Sequence, residues 1–126
     1  MVRAVVDTSV LIRRERGATV ALPAETAVSA ISLAELGLGV LLTADPAERA
    51  IRLATLTRVE REFEAIPVDR RVAERYAELV AEARRLGRRP KAMDALIAAT
   101  ALAHDVPIVT SDAALAALPL ISAIRV

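Results

Sequence analysis

The stretch Val2-Arg3-Ala4-Val5-Val6-Asp7-Thr8-Ser9-Val10-Leu11-Ile12-Arg13-Arg14-Glu15-Arg16-Gly17 decides the fold class. Val2–Val6 is short, β-branched and largely apolar, the pattern of a strand buried on both faces. Asp7-Thr8-Ser9 ends it with N-cap chemistry, Val10–Arg16 opens a helix, and Gly17 stops it. A buried strand running straight into a helix is the unit from which parallel sheets are built.

Outward from that unit the alternation repeats. After a loop around Pro23, Thr26–Ile31 reads as a second strand. Ser32 then opens a helix, with Ser32 and Glu35 spaced as a capping box. Asp45 as N-cap, Pro46 at the first helical position and Glu48 three residues after the cap start another helix, expected to reach Phe63. Ala65–Val68 is a third strand, and Asp69 caps a helix ending at Leu86-Gly87. Its apolar face carries Val72, Tyr76, Leu79, Val80, Ala83 and Leu86. Pro90 breaks the chain, and Ala92–His104 is a nearly all-apolar helix, hence enclosed on several sides. Val106–Val109, Asp112–Leu118 and Ile121–Val126 follow as strand, short helix and strand. The expectation is a single domain over residues 1–126, of α/β class, with a mostly parallel sheet covered on both faces.

Composition narrows the chemistry. The 126 residues include no Cys and one His, so thiolate nucleophiles, Cys-ligated zinc and any two-imidazole route to RNA cleavage are excluded. Aromatic residues make up 2 % (Phe63 and Tyr76), too few for a base-stacking platform. All but one of the 17 cations are Arg, the exception being Lys91, and 16 acidic residues leave a net charge of +1. Bulk charge therefore announces no nucleic-acid binder. The longest apolar run, Ala95–Ala103, is about half the ~18–20 residues of a membrane span. Asp7 interrupts the first apolar run, so no signal peptide is expected, and a cytoplasmic location with no membrane association is.

Asp7, Glu35, Asp94 and Asp112 each have an ordinary reading as a helix cap or a first-turn anion. Their placement adds a second reading. A helix over 94–104 rises ~15 Å at 1.5 Å per residue. A strand over 107–112 travels back ~17 Å at 3.3 Å per residue, which returns Asp112 to the level of Asp94. Right-handed crossovers put Asp7 on that same edge, with Glu35 one turn into the helix leaving the neighbouring strand. Carboxylates ~4 Å apart repel by about 4 kcal/mol per pair at an effective dielectric of 20, whereas Ser or Asn would cap without that penalty. A hard divalent cation, Mg²⁺ or Mn²⁺, resolves the conflict.

Val5-Val6-Asp7-Thr8-Ser9-Val10-Leu11-Ile12, Ser32-Leu33-Ala34-Glu35-Leu36, Met93-Asp94-Ala95-Leu96-Ile97-Ala98-Ala99 and Ile108-Val109-Thr110-Ser111-Asp112 closely resemble the four motifs of PIN-domain ribonucleases, in order and spacing. Within that family the chain resembles bacterial VapC-type toxins. The resemblance implies a PIN-like three-layer α/β/α sandwich with a five-stranded sheet, and a Mg²⁺- or Mn²⁺-dependent endoribonuclease. By match of motif, Asp7, Glu35, Asp94 and Asp112 would be the catalytic and metal-binding quartet, and Thr8 and Thr110 the hydroxyls that hold the carboxylates and water. Many relatives carry a further Asp, often followed by an aromatic residue, shortly after the fourth motif. Ala113, Ala114 and Leu115 stand there in this chain, which leaves the number of ions open.

Asp7 and Asp94 are expected as direct ligands, with Glu35 and Asp112 acting through water or positioning the nucleophile. Water attack, as in the family, would leave a 5′-phosphate and a 3′-hydroxyl. Arg84, Arg85, Arg88, Arg89 and Lys91 form a cationic stretch at the mouth of the crevice, and Arg13, Arg14 and Arg16 form a second; either is a solvated helix end or an RNA guide. His104 is expected at a helix C-terminus, far from the site. Leu36–Leu42 with Ala50, Ile51 and Ala54 reads as core or as an interface. The resemblance implies a homodimer and a small antitoxin that wraps this arm. Alternatives are a PIN nuclease of RNA processing and an inactive PIN-like binding module. A phosphatase fold with a nucleophilic Asp is disfavoured, because its second Asp position is Ser9.

Overall fold

A computed structural model describes residues 1–126. Its strands are β1 (Ala4–Val6), β2 (Thr26–Ser29), β3 (Ala65–Ile66), β4 (Ile108–Thr110) and β5 (Ala123–Arg125). They form one sheet in the order β3-β2-β1-β4-β5, and every neighbouring pair is parallel. The helices are α1 (Thr8–Glu15), α2 (Ala30–Leu42), α3 (Pro46–Glu62), α4 (Arg70–Arg85), α5 (Ala92–Ala103) and α6 (Ala113–Ala116). The sequence led us to expect a mostly parallel sheet; it is wholly so.

Alternation along β1 assigns the layers. Val5 packs with Leu79, Ile97 and Ala98 of α4 and α5, while Ala4 and Val6 pack with Leu11, Val59 and Phe63 on the opposite face. The result is a three-layer sandwich. Small side chains bring α5 close to the sheet: Ala95, Ala98, Ala99 and Ala101 are fully buried along it.

The expected caps at Asp45 and Asp69 form, each carboxylate accepting the N–H three residues on, from Glu48 and Val72. Gly17 and Gly87 follow their helices at φ of 94° and 78°, a conformation that favours glycine. Three expectations need correction. Ser32 does not open α2: Ser29 caps it, accepting from the Ile31 N–H, and Ser32 is the third helical residue, fully buried. Ile31 thus belongs to helix and not to strand. Leu86 is exposed, because the helix ends before it and the chain turns outward there.

The strand order places the site. From β1 the chain moves outward through β2 to β3, then crosses back to β4 on the other side of β1. The order reverses between β1 and β4, and in such sheets ligands sit beyond the carboxyl ends of the strands at that reversal. Asp7 follows β1, Thr110 ends β4, and the Asp7 N–H donates to Val109 O at 2.8 Å.

Candidate active site

Asp7 is 3 % exposed, a burial that an aspartate tolerates only with partners. Its side chain does not cap α1; Oδ2 accepts from Ser9 Oγ at 2.6 Å and from Thr110 Oγ1 at 2.9 Å. Both hydroxyls are themselves acceptors, Ser9 Oγ from the Ser111 N–H and Thr110 Oγ1 from the Asp112 N–H. An ionised carboxylate only accepts, so each hydroxyl proton points at Asp7. The first and fourth motifs are thereby joined through two hydroxyls.

Glu35, one turn into α2, is held the same way. Thr8 Oγ1 donates to its Oε1 at 2.7 Å, and Ser32 Oγ lies 2.8 Å from Thr8 Oγ1. With the single Thr8 proton given to the carboxylate, Ser32 must be the donor to Thr8. Asp112 does cap α6: its Oδ1 accepts from the Ala114 and Leu115 N–H groups. Asp94 lies in the first turn of α5 and makes no side-chain hydrogen bond or ion pair. Burial is the first cause holding its carboxyl above the usual range, followed by the negative charges of Asp7, Asp112 and Glu35; Lys91 acts in the opposite sense. Four carboxylates from separate segments therefore share one field at the sheet's carboxyl edge.

As the side chains stand, no three acidic residues form a tight ligand cluster. The hydroxyls and the α6 cap hold one oxygen each of Asp7, Glu35 and Asp112, leaving the other oxygens and both of Asp94 uncommitted. The donor set is all carboxylate oxygen, which fits Mg²⁺ or Mn²⁺ and not zinc.

Two clefts flank this edge. One, of about 560 Å³, is lined by Asp94 and Asp112 with Arg88, Arg89 and Lys91. The other, of about 290 Å³, is lined by Thr8 and Glu35 with Arg16 and Arg52. Arg13 also reaches the edge, donating to Ser111 Oγ at 2.9 Å. Arg14 and Arg85 do not belong to it. Arg14 donates from Nη2 to both oxygens of Glu62 and stacks over Phe63, and Arg85 forks onto Glu82 three residues before it. Both guanidinium groups thus face a carboxylate; Glu62 lies far from Arg14 in the sequence, whereas Glu82, three residues from Arg85 on one helix, is at a spacing the sequence itself shows.

A family model described as "PIN domain" matches residues 4–120. The chain belongs to the PIN-domain family. This PIN domain is 40 % identical over 129 residues to Ribonuclease VapC4 of Mycobacterium tuberculosis, covering 98 % of this chain and 97 % of that one. It is 40 % identical over 117 residues to Ribonuclease VapC5 of the same organism, covering 90 % and 86 %. The crystal structure of VapBC-5 from M. tuberculosis, a member of the VapBC family of toxin–antitoxin systems, superposes with a TM-score of 0.86 at 37 % identity, over 100 % of both chains.

Sequence reasoning on this PIN domain missed Ser9 and Ser32. The sequence assigns Ser9 no ligand-holding role and offers Ser32 as a helix start. The available signal was position: a hydroxyl two residues after Asp7, and another three before Glu35, each within one turn of a carboxylate.

Proposed function

We propose that this chain, acting as one domain over 1–126, is a divalent-metal-dependent endoribonuclease and the toxin of a VapBC-type pair. The observation that carries the reading is the meeting of Asp7 with Thr110, beside a cleft that Asp94 and Asp112 both line, at the strand-order reversal. The likeness to proteins named Ribonuclease VapC supports it.

Asp7 and Asp94 would hold Mg²⁺ or Mn²⁺, with Asp112 and Glu35 completing the site or orienting the attacking water. When bound, the ion supplies a water of lowered pKa and relieves charge on the phosphate. Ser9 and Thr110 hold Asp7 in aim, while Thr8 does so for Glu35. Arg13, Arg88, Arg89 and Lys91 draw in the RNA backbone. His104 caps the far end of α5 and takes no part.

The partners follow from the α2–α3 arm. Leu36 and Val40 are core, but Leu38, Leu41, Leu42, Ile51 and Leu53 are at least half exposed. An apolar patch of that extent marks association, here with an antitoxin and a second copy of the chain. No helix is long and apolar enough to cross a membrane, and the proposed place of action is the cytoplasm.

The test is RNA cleavage with Mg²⁺ or Mn²⁺, with and without chelator, beside Asp7→Asn and Asp94→Asn. Cleavage should need metal and vanish in both folded variants. Activity that survives chelator or either substitution overturns the reading, and growth arrest relieved by a co-encoded partner separates a toxin from a processing nuclease.

A further inference from the structure

The two clefts beside the acidic edge differ in chemistry. The Asp94–Asp112 side carries Arg88, Arg89 and Lys91, a surface that attracts phosphate. The other side, between α1, α2 and α3, sets three carboxylates (Glu15, Glu35 and Glu48) against two guanidinium groups (Arg16 and Arg52). That balance repels a phosphate. Its volume, about 290 Å³, is near the lower end of ~300 Å³ for small-molecule pockets, room for one nucleoside and not a longer stretch. Glu35 lines it, so its occupant lies directly beside the cleavage point.

We propose that this cleft is a base-reading pocket that takes one unstacked guanine next to the scissile bond. The inference rests on the ribonuclease reading above. Its walls are apolar at Ile12 and Leu36, a surface for the flat face of a base in a chain almost without aromatic residues. Its polar groups are forks of both kinds. Arg16 pairs with no carboxylate and is exposed at the rim. Arg52 is fixed by Glu48 at 3.7 Å and by Gly39 O at 3.3 Å. Guanine alone presents two adjacent acceptors, O6 and N7, to a guanidinium, and two adjacent donors, N1–H and N2–H, to a carboxylate. The base must be splayed from its neighbours, so the substrate is single-stranded at that point.

The test compares UUGUU with UUAUU, bound in EDTA and followed by fluorescence anisotropy, then cleaved in Mn²⁺. The guanine RNA should bind roughly ten-fold more tightly, the scale of one bidentate base contact. Arg16→Ala should bring the ratio toward one. Gly39→Ala should do the same by narrowing the pocket, and it tests the idea in a fold left intact, because its Cβ would stand an ordinary 3.6 Å from Arg52 Nη1. Equal affinities in the wild type, or a preference that both variants retain, overturn the proposal. Guanine preference without any cleavage supports the pocket and counts against the ribonuclease reading, whereas cleavage indifferent to the base does the reverse.

Discussion

Thr8→Val changes one hydroxyl for a methyl and keeps size and branching, so it opens no cavity. Two interactions are lost: the charge-assisted bond to Glu35 at 2.7 Å and the bond from Ser32 at 2.8 Å. Bonds to charged groups contribute about 1.5–3 kcal/mol, the lower end applying to the half-buried Glu35. Ser32 is fully buried, so its stranded hydroxyl costs about 1 kcal/mol more. Thr8→Val should therefore destabilise by about 2–3 kcal/mol. Ser32→Ala alone removes one neutral bond and costs about 1 kcal/mol. In the double variant no hydroxyl is stranded, and its cost should fall about 1 kcal/mol short of the sum of the singles. Urea unfolding in EDTA with a constant m-value reads all four corners of the cycle. Thr8→Val should also slow RNA cleavage about ten-fold or more, because Glu35 loses its tether. Additivity within about 0.3 kcal/mol would refute the Thr8–Ser32 hydrogen bond as an energetic link in this chain of hydroxyls.

Other outcomes follow from the same geometry. Because folding raises the Asp94 pKa, the folded state holds the proton longer, and stability of the ion-free protein should fall as pH rises from the ordinary Asp value through the raised one. Asp94→Asn should remove that fall and be the more stable protein at pH 7, read as the difference in Tm between the two across pH 4–7 in EDTA. Mn²⁺ at a hundred times its Kd should stabilise the wild type by about 2.7 kcal/mol, and the same addition should leave Asp7→Asn unmoved in a thermal scan. Arg89→Ala and Lys91→Ala should each lower the salt slope of single-stranded RNA binding by about 0.7, while Arg14→Ala should destabilise the fold and leave the slope alone. Leu41, 71 % exposed, should accept Glu without unfolding, and sedimentation should then show a monomer that no longer takes an antitoxin. A dimer that persists in Leu41→Glu moves the interface off the arm.

The strand–cap–helix grammar was legible because it is local: Asp45, Asp69, Gly17 and Gly87 each act within one turn. The common level of Asp94 and Asp112 can be argued from lengths, since a helix and the strand returning beside it nearly cancel, whereas Asp7 needs the handedness of the crossovers and Glu35 its offset into the helix. What escaped was mostly decided by contacts between helices distant in the sequence. Ser32 has the spacing of a capping residue, yet Ser29 takes that role and frees Ser32 to reach Thr8. Arg14 and Arg85 look like phosphate guides until the carboxylates of Glu62 and Glu82 come into view, the first of them 48 residues away. The exposed half of the α2–α3 arm was undecided because hydropathy does not say which side of a helix finds a neighbour.

Asp112 divides its labour between two oxygens, and this alters how inactivating substitutions are to be interpreted. Alanine there would take away the negative charge and also release the first turn of α6, so a dead variant would confound chemistry with a loosened chain end. Asparagine leaves an oxygen for the Ala114 and Leu115 amides and withdraws only the charge. Of the four acidic positions, this is the one whose side chain caps a helix, so an alanine scan by itself gives an answer to the wrong question there.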